Sequence, residues 1–186
     1  ENDDFFGAST TPNEAIREPL ADMRSRGMAT LITVPMLGYV AGDRAGPMDR
    51  YDSTHLATRF KQLVYRKGSA FTMTPSTTDD FVYADESVWG LRNLFPGNIY
   101  TDAQMPTFIS LDNEPDLWPS THEEITRTPV NSDTFIQKSI DLSTTLKDLE
   151  PNAVIFGPVN YGFLGMFNWQ IEPGFPTSMW FTDKYL

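Results

Sequence analysis

The stretch Phe108-Ile-Ser-Leu-Asp-Asn-Glu-Pro115 decides the fold of this chain. Its first four residues, together with Thr107, are typical of a buried strand. They run directly into an acidic turn that carries an amide, Asp112-Asn113-Glu114-Pro115. In a barrel of parallel strands, catalytic groups lie at the C-terminal ends of the strands. The stretch therefore predicts a buried strand whose end carries a candidate catalytic carboxylate, Glu114.

Two more strands and five helices are predicted around this stretch. The strand segments are Ala29–Pro35 on its N-terminal side and Ala153–Phe156 on its C-terminal side. Apolar residues recur at helical spacing over residues 11–27, 52–64, 81–95, 133–149 and 177–186. The helix over residues 52–64 is predicted from the helical spacing of Leu56, Phe60, Leu63 and Val64. Strands that alternate with helices predict parallel βα units and an α/β fold.

The length of the chain limits how much of a barrel it contains. A loop rich in Gly, Pro and aromatic residues follows each predicted strand, which is where barrel enzymes place their functional groups. A closed eight-stranded barrel needs about 250 residues, whereas this chain has 186 and three predicted strands. We therefore expect part of a (β/α)8 TIM barrel, incomplete in this chain. Such a piece has two open sheet edges and an uncovered interior face.

The composition excludes several classes of partner. The formal net charge is -11, from 14 basic and 25 acidic residues, so the surface repels polyanions and predicts no nucleic acid partner. No apolar run approaches the roughly 20 residues that a bilayer span needs, so no membrane partner is predicted. The absence of cysteine excludes disulfides, thiolate nucleophiles and cysteine-ligated zinc. A neutral polymer remains compatible with this surface.

The turn after residue 111 carries side chains that glycoside cleavage uses. Most glycosidases need two carboxyl groups, one as an acid and the other as a nucleophile or base. Glu114 suits the acid/base role, and Asn113 is placed to hydrogen-bond the 2-hydroxyl of a sugar. Trp118 offers an apolar face for a pyranose ring, while Tyr39 and Tyr161 each follow a strand end and could line a sugar cleft. The predicted substrate-binding residues are therefore Asn113, Trp118, Tyr39 and Tyr161.

Simpler structural roles compete with these assignments. Asp and Asn are good turn formers, so the acidic run after residue 111 is also compatible with a plain polar turn. Tyr39 and Tyr161 are equally compatible with packing between loops. For Trp169 and Trp180, packing is favoured over a sugar subsite, and His55 is predicted to face solvent on a helix.

An acidic cluster has two interpretations. Its members are Asp79, Asp80, Asp85 and Glu86. Carboxylates in the first turn of a helix are favoured by the helix dipole, and this is the simpler interpretation. A structural calcium ion with oxygen ligands is the alternative, although no ligand set is assigned. The predicted chemistry itself requires no cofactor.

Five segments of the chain resemble glycoside hydrolase family 44, in the family's order and at similar spacing. The first is Ser110-Leu-Asp-Asn-Glu-Pro-Asp-Leu-Trp118, with Thr121-His122 after it. The others are Leu31–Val40, Phe81–Glu86, Val154–Gly162 and Trp180–Leu186. Asn-Glu-Pro alone is shared by a wider clan of barrel glycosidases, whereas the set of five is specific. The resemblance covers nearly the whole chain.

This resemblance implies a secreted, retaining endo-β-1,4-glucanase whose partner is a β-glucan polysaccharide, such as xyloglucan. It also implies a (β/α)8 barrel plus a β-sandwich, with Glu114 as the acid/base and the three predicted strands as the third to fifth of the barrel. The family nucleophile is a glutamate at the end of the seventh strand, so it is expected outside residues 1–186. The first strands, the C-terminal strands and the β-sandwich are expected there too, in the remainder of the same polypeptide. Alone, this partial catalytic barrel is expected to be inactive.

Two other functions stay open. Another barrel glycosidase of the same clan, a mannanase or a xylanase, has the same acid/base turn, and substrate scope would separate it from a glucanase. A non-catalytic sugar-binding fragment belongs to a different class of protein. Retained binding without turnover would identify it.

Overall fold

The computed structural model describes residues 11–43, 45–46, 48–49, 51–52 and 54–186. Within them, the strands are β1 (Thr30–Val34), β2 (Tyr39–Ala41), β3 (Phe60–Val64), β4 (Phe81–Tyr83), β5 (Thr107–Leu111) and β6 (Ile155–Phe156). The α-helices are α1 (Glu14–Ser25), α2 (His55–Arg59), α3 (Ala84–Asn93), α4 (Trp118–Thr121), α5 (Ser132–Leu149), α6 (Gly162–Phe167) and α7 (Phe181–Tyr185). In the same described ranges, short 3-10 helices cover Pro115–Leu117 and Trp169–Ile171.

A parallel sheet of three strands, in the order β1-β5-β6, carries the fold. Thr30 pairs with Thr107, and Ile109 pairs with Ile155, so the strand that contains the deciding stretch lies in the middle. The three predicted strands and their parallel arrangement are confirmed. The third is shorter than predicted, because pairing with β5 involves only two of its residues.

The two faces of this sheet have different surroundings. On one face, Ile32, Val34, Ile109 and Leu111 are buried in the same core as apolar residues of α1, α3 and α5. This burial is the main stabilising contribution of the sheet. On the other face, Leu31 and Phe156 are exposed, and with Phe108 they line a groove of about 550 Å³. The uncovered face agrees with a sheet that forms part of a barrel wall.

A second sheet, in the order β2-β3-β4, was not predicted. The predicted helix over residues 52–64 is confirmed for His55–Arg59 and wrong from Phe60 onward, because α2 ends at Arg59 and Phe60 has extended backbone angles, φ -115 and ψ 156. The spacing of Phe60, Leu63 and Val64 fits a helix, but the strand is stabilised by pairing on both sides, antiparallel to β2 and parallel to β4. This pairing also takes the first three residues of the predicted helix over residues 81–95.

Local signals explain the ends of the two long helices. Gly27, with φ 74, follows α1 in the left-handed conformation that glycine adopts without cost. Asn131 caps α5 by accepting the N–H of Thr134 at 2.8 Å.

The prediction that His55 faces solvent is wrong: it is buried, and its Nε2 lies 3.3 Å from the carbonyl of Glu124. Among the described residues, no helix combines the length and apolar character needed to cross a bilayer.

Candidate active site

The ends of β5 and β6 are joined beyond the strands themselves. Asn113 forms a parallel bridge with Val159, and the N–H of Glu114 donates to the carbonyl of Val159 at 2.6 Å. Parallel strands end at the same edge of a sheet, so the loops after β1, β5 and β6 share this edge. The predicted acid/base turn therefore lies at the middle of the edge, on its central strand.

Asp112 fastens the end of β5 to the end of β1. Its buried carboxylate accepts the N–H of Met36 at Oδ2 and the N–H of Asn113 at Oδ1, each at 2.7 Å. Its own N–H donates to the carbonyl of Val34 at 2.9 Å. Hydrogen bonds to an ionised carboxylate are stronger than neutral ones. The role of Asp112 is therefore to hold the edge together.

Two other elements are anchored beside this carboxylate, at the Met36 carbonyl. The Tyr65 hydroxyl donates to that carbonyl at 2.9 Å and the Lys138 ammonium at 3.3 Å. Burial, with the charge of Asp112 as a smaller cause, raises the pKa of Tyr65. Burial lowers the pKa of Lys138, although the charge of Asp112 acts in the opposite direction. The second sheet and α5 thus both contact the edge that carries Glu114.

Glu114 has an unusual backbone conformation for a residue that precedes proline. Its angles, φ 50 and ψ 45, are left-handed, and Asp112 two residues earlier also has a positive φ of 63. Each such residue costs about 1–3 kcal/mol unless its surroundings impose it. Here the N–H of Glu114 donates to Val159, and its carbonyl accepts the N–H of Leu117 at 2.9 Å. These bonds hold the half-buried Glu114 at the strand end, next to the exposed Asn113.

Trp118 lies in the core. Its side chain is 1% exposed, and its ring packs edge-on against Phe135 and Trp169, with centroids 5.6 and 6.5 Å away. The prediction that Trp118 offers a stacking face to a sugar is therefore wrong, because aromatic neighbours already cover the ring. Trp169 is fully buried in the same cluster, as the packing interpretation predicted.

The two tyrosines lie on opposite sides of the central turn. Tyr39 is half-buried and lines a small cavity together with Asp112 and His122. Tyr161 is 59% exposed, and its N–H donates to Oδ1 of Asp116 at 2.9 Å. Both sit at the edge that carries Glu114, so their assignment as cleft residues stays a prediction.

The acidic cluster divides into an exposed pair, Asp79 and Asp80, and a buried pair, Asp85 and Glu86. Asp85 and Glu86 form the buried first turn of α3, as the helix interpretation predicted. Oδ2 of Asp85 accepts the N–H of Lys67 at 2.9 Å, and Oε1 of Glu86 accepts the N–H of Thr72 at 2.8 Å and the Lys67 ammonium at 2.6 Å. In the described part of the chain, no three His, Cys, Asp or Glu side chains are grouped so that they could hold a metal.

Three residues that support the turn were missed in the sequence. Asp116 links it to the loop after β6, and Gly165 leaves the space that the Asp116 carboxylate occupies. Gln170 is buried, and its amide reaches the Pro115 carbonyl. Each partner is 45 to 55 residues away along the chain, and no local pattern indicates such a contact.

Comparisons with known proteins agree with this geometry. Residues 1–186 match the model of glycoside hydrolase family 44. The chain is 38% identical over 164 residues to Endoglucanase A of Paenibacillus lautus, covering 86% of this chain and 23% of that protein. It superposes on a family 44 endoglucanase from Clostridium thermocellum with a TM-score of 0.84 and 36% identity, over 95% of this chain and 35% of that one. A Paenibacillus polymyxa family 44 xyloglucanase, solved with xyloglucan, gives a TM-score of 0.81 and 31% identity, over 94% and 34%.

The chain thus spans about a third of the length of these solved relatives. Its parallel sheet and packed helices are part of a (β/α)8 barrel that is incomplete in this chain, as the sequence predicted. Sequence identity and structural similarity point to the same set of enzymes. The chain belongs to glycoside hydrolase family 44.

Proposed function

We propose that this chain is part of the catalytic barrel of a retaining endo-β-1,4-glucanase, with Glu114 as its general acid/base. The substrate class is cellulose-type glucan or xyloglucan. The observation that carries the proposal is the placement of Glu114, half-buried on a hydrogen-bonded left-handed turn at the end of the central strand. Relatives named endoglucanase and xyloglucanase support the same chemistry.

In this mechanism Glu114 acts twice. As an acid, it protonates the glycosidic oxygen while the bond to the leaving sugar breaks. As a carboxylate, it then takes a proton from the water that hydrolyses the glycosyl-enzyme. Asn113, exposed beside it, is the proposed partner of the sugar 2-hydroxyl, and Tyr39 and Tyr161 are the proposed cleft residues.

The nucleophile is proposed to lie in another part of the polypeptide. A retaining enzyme needs a second carboxyl group about 5–5.5 Å from the acid/base. Asp112 and Asp116, the carboxylates nearest to Glu114 in the chain, accept backbone N–H groups that fix the neighbouring loops. Glu172 accepts the N–H of Ser132 at 3.0 Å. These contacts favour structural roles for all three.

The remainder of the polypeptide is also the proposed partner of the uncovered sheet face. Leu31 and Phe156, 50% and 48% exposed, are apolar side chains of the kind that a completed barrel interior buries. An apolar face and open strand edges are hazards for aggregation in water. We therefore expect the 186-residue chain to be ordered only within a longer polypeptide or an assembly. A sharp, cooperative melt of a monodisperse monomer would contradict this expectation.

Location and ions follow from the same proposal. A polysaccharide is too large to enter a cell, so we propose that the enzyme acts outside it. The two-carboxylate mechanism needs no cofactor. A structural calcium ion is retained as part of the proposal, and the effect of a chelator on the melting temperature tests it.

The test is the release of reducing ends by the polypeptide that carries this chain. Carboxymethylcellulose and xyloglucan are the substrates, with mannan and xylan for comparison. Glu114→Gln is expected to reduce kcat by about 10²–10⁴ because the acid/base is lost, while the polysaccharide still binds. Glu18→Gln, an exposed change on α1, is the matched control.

The outcomes separate the candidate functions. Activity close to that of the wild type in Glu114→Gln would remove Glu114 from the mechanism. Turnover of mannan or xylan in preference to glucan would identify another clan activity, and binding without turnover would identify a sugar-binding module. Turnover by the isolated 186 residues would place a second carboxylate within them.

A further inference from the structure

We infer that Gln170 is a positioning residue that holds the Glu114 turn, an inference that rests on the proposed acid/base role of Glu114. Its side-chain amide is buried and uses both of its polar atoms. Nε2 donates to the Pro115 carbonyl at 2.7 Å, and Oε1 accepts the N–H of Val130 at 2.7 Å. The amide therefore joins the acid/base turn to the loop that leads into α5.

The backbone at Gln170 is strained in a way that this contact explains. Gln170 has φ 45 and Ile171 has φ 53, so two successive residues other than glycine are left-handed. Such conformations persist where the surrounding structure imposes them, and they cluster at functional sites. The preceding residue is fully buried, and its indole Nε1 donates to the Val130 carbonyl at 2.6 Å. Trp169 therefore anchors the segment, while the strained backbone directs the next side chain to the turn.

The bond from Gln170 holds a different point of the turn from the bond that the loop after β6 makes. Val159 fixes the N–H of Glu114, whereas Gln170 fixes the carbonyl of the very next residue. The Glu114 side chain leaves the backbone between these two points, so both determine where its carboxyl group lies. Proton transfer requires the acid within hydrogen-bond reach of the leaving oxygen. Loss of the Gln170 bond should therefore weaken protonation in particular.

The leaving group of the substrate separates positioning of the acid from general damage. The full polypeptide is assayed with two aryl β-cellotetraosides, which release phenol or 2,4-dinitrophenol. Phenol is a poor leaving group and needs protonation, whereas dinitrophenol leaves without it. We compare kcat/KM, which reports the first irreversible step, as a ratio between the two substrates. This ratio does not depend on how much of a preparation is folded.

Two variants of Gln170 cover the risk of misfolding. Gln170→Glu keeps the shape and the acceptor but loses the donor to Pro115. Gln170→Asn keeps the amide but shortens it by one methylene, and Asn tolerates left-handed backbone well. Gln137→Glu is the matched control, because Gln137 is exposed on α5 and bonds only locally, to Asp141 at 2.8 Å.

We expect both Gln170 variants to lose about 10- to 100-fold in kcat/KM on the phenyl substrate, and less than about threefold on the dinitrophenyl substrate. The control should change neither value. Equal losses on both substrates, or no loss on either, would overturn the positioning role. Glu114→Gln in the same series tests the underlying proposal: without a selective loss in that variant, Glu114 is not the acid, whatever Gln170 does.

Discussion

The carboxylate of Asp116 lies against the α-carbon of Gly165, so that a Cβ built on this glycine would come within 2.6 Å of the Asp116 Cγ. The same carboxylate accepts the N–H of Tyr161 through Oδ1 at 2.9 Å. Asp116 follows Glu114 by two residues, and Tyr161 directly precedes α6. The absence of a side chain at Gly165 of α6 therefore allows the acid/base turn and the loop after β6 to pack together.

Gly165→Ala is expected to destabilise the protein, although Gly→Ala inside a helix is ordinarily favourable by about 1 kcal/mol. The added methyl group displaces the Asp116 carboxylate from Tyr161, at a cost of about 1–3 kcal/mol. The free energy of unfolding in urea measures this. In an Asp116→Ala background the same change should be neutral or stabilising, because the overlapping group is gone. An equal cost in both backgrounds would contradict the contact.

Asp112→Asn tests the fastening between the ends of β1 and β5. The amide can accept from only one of the two N–H groups, those of Met36 and Asn113, that the carboxylate serves. The amide also places its NH2 group, a donor, against the second of these N–H groups, which then has no acceptor. We expect a loss of about 2 kcal/mol in the free energy of unfolding, together with faster hydrogen exchange at Met36. Asp141→Asn, on the exposed face of α5, is the control and should stay within about 0.5 kcal/mol of the wild type.

Tyr65→Phe removes the hydroxyl that donates to the Met36 carbonyl. The expected cost at neutral pH is about 1 kcal/mol. The pKa of Tyr65 is raised by burial, so its hydrogen bond contributes fully below the unfolded value of about 10 and is lost as pH rises toward the higher folded value. Urea unfolding of both proteins between pH 7 and 11 should therefore show a difference that narrows above pH 10. A difference that widens there would mean that the folded state favours the phenolate.

Local patterns in the sequence predicted the parts of the fold that local physics determines. The stretch around β5 is an apolar run that ends in turn formers, and its bounds, Thr107–Leu111, agree with the prediction. The helix over residues 133–149 has regular apolar spacing and a capping residue, Asn131, and α5 follows it closely. β3 was missed because its apolar residues, Phe60, Leu63 and Val64, have helical spacing and do not alternate as in a strand. Its state is decided by pairing with Phe81–Tyr83, 19 residues along the chain from Gln62.

In the candidate site, too, the features set by local sequence could be predicted, whereas those set by distant contacts could not. The position of Glu114 could be predicted, because a strand end can be recognised from the residues on either side of it. The orientation of Trp118 could not, because a single sequence does not show that Phe135 and Trp169 fill the space on its side of the turn. Gln170 carried no signal of its own, since its contact with Pro115 depends on how two distant loops meet.

Trp118 is buried and Tyr161 is exposed, so truncating Trp118 should lower the stability of the protein, whereas truncating Tyr161 should leave stability nearly unchanged. Trp118→Ala empties a site among packed aromatic rings and is expected to cost about 3–5 kcal/mol in the free energy of unfolding. Tyr161→Ala removes a ring that is 59% exposed, while the backbone N–H that bonds to Asp116 remains, so stability should change by less than about 1 kcal/mol. If Tyr161 lines the cleft, its loss should instead raise KM for xyloglucan. Urea unfolding and steady-state kinetics on the full polypeptide measure both quantities. A Trp118→Ala protein that is as stable as the wild type but binds substrate more weakly would contradict the burial of Trp118. It would support the original assignment of Trp118 to the sugar cleft, because only the removal of an exposed ring leaves no cavity in the core.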